Sequence, residues 1–511
     1  MSTNPLTVNL MTRGYFPDRV IPPVNSLAIG SAIPEILAFA VPKVKNSVKK
    51  KMQGGMPRSR AVAHSVPKRK HLRRPLAIPH PLIQTVLADE IANAWKDLKK
   101  FCSQSPLALS VPTLGTTRAI EPEHSLNEQP IFRAEKSVGA RYLLKADIAR
   151  YYPSIYTHSI PWALHGKQQA RADKVNALVG NRLDLWTRES QDKQTGGIPI
   201  GPDTSFVIGE IIGSAIDKRL CEKLRHIHGA RSMDDYYLYF PTLSDAERCI
   251  AALHEIAQEF ELDINDSKTE IISLPDALEP KWKSDLRTST IREQATPQAF
   301  DLLTLFDRAF EYSKEFPSDS VLTYAAKQTL GADIKGDNWG LCESLLLRAA
   351  LAEPTLLSVL GEVYLKFEAF HTDGEPLTRL LLSLCDYHAP LRQGNEVAWA
   401  LWLAREKEIT IPRAVADVVA RLDDDVVALM ALDMRESGFF DASDCAVWGA
   451  HINASELYEE HWLVAYEAAE QGWLSSGADH VGNDEFFGIL RKHAVRFYSS
   501  TTAPTSSGFR Y

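Results

Sequence analysis

The stretch GARSMDDYYLYF (229–240) places two adjacent aspartates among residues that favour strands. Met233 precedes Asp234 and Asp235, and aromatic and apolar residues follow at 236–240. Carboxylates rarely interrupt a buried strand without a partner. We therefore predict that the pair lies at a hairpin tip, where a divalent cation is its natural partner.

A second aspartate run, at 423–425 in RLDDDVVALM, has a different context. An apolar run follows it, and carboxylates are favourable at the positive end of a helix dipole. We predict an exposed helix N-terminus at this run, which is the common interpretation of adjacent aspartates.

A third carboxylate that could join Asp234 and Asp235 occurs in RYLLKADIARYYPSI (141–155). Residues 142–148 are apolar except for Lys145 and Asp147, as in a buried strand that delivers a carboxylate into a cleft. The following YPSIYTHSIPWAL looks helical, so Asp147 could equally cap a helix. The sequence alone leaves both interpretations open.

Two further segments are typical of a ligand site when they occur near such carboxylates. QTGGIPIGPDTS contains Gly197, Pro199 and Gly201 and leads into an amphipathic helix. A glycine-rich turn lets the backbone approach a ligand closely, although any tight turn has this composition. Downstream, LDINDSKTEIISL places Lys268 just before a short strand.

Composition bounds the class of protein. The 511 residues suffice for two to four domains, and 45% hydrophobic residues are typical of a soluble globular chain. No apolar run is long enough to span a bilayer, and the first residues lack the pattern of a signal peptide. The six scattered cysteines suit a reducing compartment and argue against a zinc site.

The basic residues are concentrated in one segment although the net charge is −8. No acid occurs between Glu35 and Asp89. Such a block repels itself unless phosphates or an acidic surface face it. For 43–60 a solvated loop is an equal alternative, whereas for 68–74 we favour phosphate binding. The basic residues are Lys43, Lys45, Lys49, Lys50, Lys51, Arg58, Arg60, Lys68, Arg69, Lys70, Arg73 and Arg74.

In this order the motifs resemble those of reverse transcriptases. KADIARYYPSI looks like the first palm motif, GGIPIGPDTS like the glycine-proline motif, and SMDD like the aspartate hairpin. The N-terminal RGYFPDRVIPP and the long helical tail resemble the bacterial abortive-infection branch, the AbiK-like polymerases of phage defence. The resemblance implies reverse-transcriptase-like α+β fingers and palm followed by an all-α, HEAT-like helical domain, without the usual thumb.

The resemblance also implies roles for individual residues. Asp147 and Asp234 would bridge two Mg²⁺ ions, with Mn²⁺ as an alternative, while Asp235 and the carbonyl of Ile148 support them. Two such ions about 3.5–4 Å apart serve nucleotidyl transfer. The residues implied to bind the deoxynucleoside triphosphate are Lys70, Arg74, Tyr152, Gly197, Pro199, Gly201 and Lys268. Tyr152 would exclude a 2′-hydroxyl, and Lys268 is a plausible proton donor to pyrophosphate.

Two departures separate this chain from template-copying relatives. Gly196 and Ile200 stand where templated enzymes usually carry glutamine, and no recognisable thumb follows Lys268. The abortive-infection branch makes DNA without a template and primes it from a protein hydroxyl. The resemblance therefore implies a single-stranded product attached to the chain, with Tyr15 as one candidate primer. It also implies a homo-oligomer in the bacterial cytoplasm, with no membrane.

We divide the chain into an N-terminal extension and basic segment (1–64), fingers and palm (65–285), a helical repeat domain (290–498) and a flexible tail (499–511). Helices are predicted from 353 onward and at 376–387, 396–406, 412–422 and 455–471. Tryptophans of this half either pack in a core or stack on bases. These tryptophans are Trp339, Trp399, Trp402, Trp448, Trp462 and Trp473.

Two other functions remain as alternatives. One is a templated reverse transcriptase that uses a nucleic-acid primer. A thumb and a glutamine in the glycine-proline motif would favour this alternative. The other is a helical scaffold with a dead polymerase domain. The presence of all three aspartates argues against the scaffold, because unpaired acids are costly to keep together.

Overall fold

The computed structural model describes residues 3–48, 55–69, 72–224, 227–370, 374–475 and 477–500. The N-terminal region contains both helices and short strands. These elements are α1 (Pro5–Thr12), α2 (Ile33–Val48), β1 (Val62–Arg69), β2 (Leu72–Ile78), α3 (Pro81–Cys102), β3 (Pro112–Leu114), β4 (Ile120–Pro122), α4 (Gln129–Lys136), β5 (Tyr142–Asp147), α5 (Tyr151–Ser154), α6 (Ser159–His165), α7 (Lys167–Ala172), α8 (Val179–Glu189), α9 (Asp203–Lys223), β6 (His228–Ser232), β7 (Asp235–Phe240), α10 (Leu243–Glu259) and β8 (Glu270–Ser273).

Beyond β8, the described residues form helices and connecting segments. The helices are α11 (Lys281–Arg287), α12 (Ala295–Glu315), α13 (Val321–Gly331), α14 (Gly336–Ala352), α15 (Leu357–Lys366), α16 (Glu375–His388), α17 (Gly394–Glu406), α18 (Arg413–Val419), α19 (Asp425–Glu436), α20 (Ala446–Gly449), α21 (Trp462–Glu470) and α22 (Glu485–Lys492). Short 3₁₀ helices lie at Leu27–Ser31, Asp266–Lys268, Pro354–Leu356, Glu368–Phe370 and Glu456–Tyr458. The predicted order of a sheet-containing region followed by a helical region is confirmed.

The central sheet has four antiparallel strands in the order β6–β7–β5–β8. The strand-forming residues at 236–240 build β7, and β5 pairs along its whole length with β7. Helix α10 packs against β5, β7 and β8, and α9 packs against α10. Strands β5 and β7 are mostly buried, including the neighbouring residues Leu143 and Leu144 of β5.

The helical region forms a layered stack. Helix α12 contacts α14, α14 contacts α16, and α16 contacts α18, while α13, α15, α17, α19 and α21 make the corresponding row. The predicted helices near 357, 376, 396 and 412 are confirmed within a few residues. The single helix predicted at 455–471 is wrong, because a 3₁₀ turn and a loop precede α21. A regular HEAT-like repeat stays a prediction.

Tryptophans of the helical region serve its core. Trp339, Trp399, Trp402, Trp448 and Trp462 are buried, and Trp473 is half-buried. Trp448 donates from Nε1 to the carbonyl of Leu422 at 2.8 Å. The core interpretation of these residues is therefore confirmed for the five buried rings.

The hairpin of β1 and β2 rests on the helical region. β1 contacts α17 and α19. Buried His64 on β1 lies 3.0 Å from an Asp424 carboxylate oxygen. Arg73 on β2 donates from Nη1 and Nη2 to the two carboxylate oxygens of buried Glu396. Trp462 Nε1 donates to the carbonyl of Ile78 at 3.2 Å. The two regions are joined by buried polar contacts as well as by packing.

The aspartate run at 423–425 begins a helix, as predicted, but its exposure was predicted wrongly. Asp424 caps α19 by accepting from the N–H groups of Val426 and Val427. Asp424 and Asp425 are buried, because histidines from other elements cover them. Only Asp423 of the run is exposed.

Candidate active site

Three carboxylates meet at one end of the central sheet. Asp147 is the last residue of β5, and Asp235 is the first residue of β7 and its direct cross-strand partner. Asp234 lies in the turn between β6 and β7, and its carbonyl accepts from the N–H of Ile148 at 3.2 Å. Helix α5 is preceded by Arg150 as N-cap, so Asp147 ends a strand and is not a helix cap.

The turn that carries Asp234 has an unusual backbone. Met233 adopts φ +57°, in the left-handed region that side chains other than glycine rarely occupy. Its N–H donates to Ser110 Oγ at 2.8 Å, and its carbonyl accepts from Arg231 Nη1 at 2.7 Å. Both backbone groups of Met233 are therefore fixed by buried side chains.

Arg231 is the centre of a buried ionic cluster beneath this turn. It is fully buried on β6 and donates from Nε to Asp217 at 2.8 Å. It also donates to both carboxylate oxygens of Glu210 at 3.1 Å. Glu210 and Asp217 lie seven residues apart on α9 and are fully buried, and Ser110 donates to Glu210 at 2.6 Å. The cluster connects the aspartate turn to the long central helix.

Asp147 has two polar neighbours from the segment before β8. Lys268 Nζ lies 2.7 Å from one carboxylate oxygen, and Asn265 Nδ2 donates to the other at 2.8 Å. The N–H of Asn265 also donates to the carbonyl of Asp147 at 2.7 Å. Lys268 therefore lies in the site, where it neutralises the carboxylate at the end of β5.

The remaining two carboxylates lack comparable neutralisation. Burial, followed by the charge of Asp147, raises the pKa of Asp234. Burial and the charges of Asp234 and Asp147 raise the pKa of Asp235, although this residue is also partly exposed to solvent. Like charges this close favour a cation between them. Three acids with hard oxygen donors fit Mg²⁺ or Mn²⁺, and the residues that would hold it are Asp147, Asp234 and Asp235.

Arg74 on β2 lies near the carboxylates. Its charge interacts with Asp234 and Tyr152, and burial together with Arg19 lowers its pKa. Tyr152 is half-buried beside Tyr151, whose hydroxyl donates to the carbonyl of Gly209 at 2.6 Å. Arg74 and Tyr152 are therefore both close enough to Asp234 for electrostatic interaction.

The glycine-proline segment contacts the turn that follows Asp147. Gly197 has φ +81°, and its N–H donates to the carbonyl of Ile155 at 2.8 Å. The N–H of Ile198 donates to the carbonyl of Tyr152 at 3.0 Å, and half-buried Pro199 follows. The segment therefore holds Tyr152 in place through its backbone.

Gly201 has a different role from Gly197. Its φ is +131°, and a Cβ there would lie 2.5 Å from the ring of Pro17. Its carbonyl accepts from Arg118, which also binds Asp203 at the start of α9. Gly201 therefore packs the N-terminal extension against α9, while contact with a nucleotide stays a prediction.

In its described part, the basic segment forms ion pairs with acids from other segments. Arg60 lies 3.2 Å from Glu459, Arg58 lies 4.0 Å from Asp192, and Arg73 binds Glu396 as described above. For Arg73, the expected phosphate contact is wrong, because buried Glu396 occupies its guanidinium. Lys68 and Arg69 end β1. Lys70 lies outside the described residues.

Tyr15 is not positioned as a mobile primer. It is fully buried, its hydroxyl donates to the carbonyl of Pro79, and its ring packs on Phe16. Burial also raises its pKa well above the usual value for tyrosine. The structure thus contradicts the expectation of a free hydroxyl at Tyr15, because this side chain would have to leave the core to reach the aspartates.

The buried ionic cluster around Arg231, which supports the site, was not predicted from the sequence. Arg231, Glu210, Asp217 and Ser110 come from β6, α9 and the segment before β3. A signal was present: Glu210 interrupts the apolar stretch of α9, Asp217 follows seven residues later, and Arg231 interrupts the strand just before the aspartates. Two acids and one cation in apolar surroundings indicate a buried ion-pair cluster.

Comparisons with known proteins give little further information. No protein-family model matches the sequence, and no curated protein matches it. Among solved structures, apo telomerase from Candida tropicalis is 13% identical with a TM-score of 0.32, over 66% of this chain and 71% of that one. Telomerase from Candida albicans, in complex with the TWJ fragment of telomeric RNA, is 12% identical with a TM-score of 0.29, over 75% and 66%. Similarity at this level establishes no family.

In the described residues, no helix has the length and apolar character needed to cross a membrane.

Proposed function

We propose that the protein is a polymerase related to reverse transcriptases that transfers deoxynucleotides at Asp147, Asp234 and Asp235. The observation that carries this proposal is the convergence of three carboxylates at the end of β5 and the β6–β7 turn, with Arg74 and Tyr152 beside Asp234. Bound divalent cations would supply activation of the attacking hydroxyl and neutralisation of the leaving pyrophosphate.

The chain's own residues have separate tasks in this reaction. Arg74 supplies positive charge for the triphosphate, for which a guanidinium fork suits phosphate oxygens. Tyr152 lies under the sugar and excludes a 2′-hydroxyl. Lys268, within 2.7 Å of Asp147, holds an ammonium proton close to the place where pyrophosphate departs.

The finer proposal is DNA synthesis without a template, primed by a protein hydroxyl, in defence against phage. Gly196 and Ile200 in place of glutamine support it, because they lack side chains that could hold a template base. The carbonyl of Ile200 also accepts from the N–H of Ala77 at 2.8 Å, so this backbone joins the hairpin. Tyr15 is no longer a suitable primer, and another hydroxyl must serve.

The test is incubation of purified protein with Mg²⁺ and labelled deoxynucleotides, with no primer or template, followed by a denaturing gel. We expect label that migrates with the protein after boiling and that nuclease trims to a stub. Extension only of an added primed template would replace protein priming with templated synthesis. No incorporation in either assay would contradict the polymerase and favour a scaffold.

A further inference from the structure

The aspartate run at 423–425 collects histidines from three other parts of the chain. Asp424 contacts His64, and Asp425 contacts His461 Nδ1 at 2.7 Å. Asp423 contacts His451 Nε2 at 2.8 Å. The group lies far along the chain from the carboxylates of the candidate active site and is independent of the function proposed there.

Three possible metal ligands converge on the exposed side of this group. His451 Nε2 is 2.8 Å from one oxygen of Asp423, and His461 Nε2 is 3.6 Å from the other. The two imidazoles lie face to face, with ring centroids 3.7 Å apart, and both Nε2 atoms lie near the same carboxylate. All three ligand atoms lie within 4.8 Å of one another.

A buried carboxylate behind His461 orients its ring. Asp425 is 2% exposed and faces His461 Nδ1 with one oxygen, while its other oxygen accepts from the N–H of Val464 at 3.0 Å. A metal ion would displace the proton from His461 Nε2 and leave the hydrogen on Nδ1, where Asp425 accepts it. A carboxylate behind a histidine in this way is the usual support of a metal-ligating imidazole.

We propose that Asp423, His451 and His461 bind one Zn²⁺ ion, with solvent as the fourth ligand. Two imidazole nitrogens and one carboxylate oxygen suit Zn²⁺ and not Mg²⁺, which requires oxygen ligands. In a tetrahedral zinc site, ligand atoms lie roughly 3.3 Å apart. The observed separations of 2.8 and 3.6 Å between Asp423 and the two histidines lie on either side of this value. The stacked rings would have to tilt apart so that their in-plane lone pairs converge on the ion.

The site is accessible and joins separate elements. The Asp423 side chain is 48% exposed, so an ion can enter from solvent. Asp423 precedes α19, His451 follows α20, and His461 precedes α21. The ion would therefore connect three segments of the helical region beside the Asp424–His64 contact with the β1–β2 hairpin. We expect zinc to raise the melting temperature of the full chain.

The experiment is a zinc titration of metal-free full-length protein against a chromophoric chelator, with excess Mg²⁺ present to occupy the three site aspartates. One equivalent of Zn²⁺ should bind. The variants His451→Gln and Asp423→Asn should each weaken binding by about 100-fold or more. His254→Gln is the matched control, because His254 lies beside Asp266 on the surface and should leave binding unchanged.

Binding of Co²⁺ to the wild type provides a second readout. We expect the visible absorption of a four-coordinate ion with nitrogen ligands, which a site made of carboxylates alone would not give. Failure of the wild type to bind zinc in Mg²⁺ would overturn the proposal, as would equal uptake by His451→Gln. If that variant does not fold, the Co²⁺ spectrum of the wild type decides, and absence of nitrogen ligation rejects the site.

Discussion

Replacement of Arg231 by methionine should damage both stability and the candidate active site. Arg231, Glu210 and Asp217 are fully buried, so Arg231→Met leaves two carboxylates in the core without their cation. Removal of one partner from such a buried ionic cluster typically costs about 3–5 kcal/mol of unfolding free energy. The carbonyl of Met233 also loses its donor, so the turn that carries Asp234 should lose its fixed geometry.

Urea unfolding followed by far-UV circular dichroism measures the first effect, and the Mg²⁺ dependence of deoxynucleotide transfer measures the second. A triple variant separates the two: Arg231→Met combined with Glu210→Leu and Asp217→Leu removes every charge of the cluster. Apolar replacement of a whole buried ionic cluster is often neutral for stability. We expect the triple variant to recover most of the lost stability while it still requires more Mg²⁺ than the wild type.

Arg231→Lys is a further comparison, because it keeps the charge but not the fork that reaches both acids and the Met233 carbonyl. We expect it to be intermediate in both measurements. Unfolding of Arg231→Met at the same urea concentration as the wild type would show that the buried carboxylates do not depend on Arg231. Recovery of wild-type Mg²⁺ dependence by the triple variant would show that the turn at Met233 does not need Arg231.

Three other predictions concern single residues. Tyr152→Val should raise the ratio of ribonucleotide to deoxynucleotide incorporation by about tenfold, because the proposed steric exclusion of the 2′-hydroxyl is removed. An unchanged ratio in paired nucleotide assays would reject that role. Gly201→Ala should lower the unfolding free energy by about 1–3 kcal/mol, because its φ is +131° and its Cβ would lie 2.5 Å from Pro17. Gly488→Ala, with open space around its Cβ position inside helix α22, is the control: it should not lower the unfolding free energy, and alanine in a helix should raise it by about 0.5–1 kcal/mol. Buried Glu467 has its pKa raised by desolvation from the usual 4.5 to about 7, so the folded state binds the extra proton and stability falls as pH rises from 4.5 to 7. Glu467→Gln should remove this part of the pH dependence of urea unfolding, and an unchanged slope between pH 4.5 and 7 would contradict it.

The geometry of the candidate site was predictable where neighbouring residues carry the signal. The aromatic and apolar residues at 236–240 favour a strand, and two aspartates before them require a turn, so the hairpin follows from local chemistry. The signal that places Asp147 at the end of a strand is likewise local, although the sequence also allowed Asp147 to cap a helix. The structure decides between them because β5 pairs with β7 up to the Asp147–Asp235 pair.

Contacts between distant segments were not predictable in the same way. The partners of Arg73 and His64 lie more than 300 residues away along the chain, at Glu396 and Asp424. Nothing local distinguishes Arg73, which is bound to a buried acid, from Arg74, which faces the site. The prediction of Tyr15 as a candidate primer was wrong for the same reason, because the burial of Tyr15 depends on the packing of the N-terminal extension against other segments.

Pyrophosphate release from deoxynucleoside triphosphates, measured for the wild type and for Asp234→Asn in Mg²⁺, tests directly whether the three carboxylates carry out nucleotidyl transfer. Loss of a carboxylate that holds the cations should cost about 4 kcal/mol of transition-state stabilisation, which is about a thousandfold in rate. Asp266→Asn, an exposed acid near Lys268, should release pyrophosphate at the wild-type rate. Release by Asp234→Asn at the wild-type rate would show that the three carboxylates do not form the site of nucleotidyl transfer.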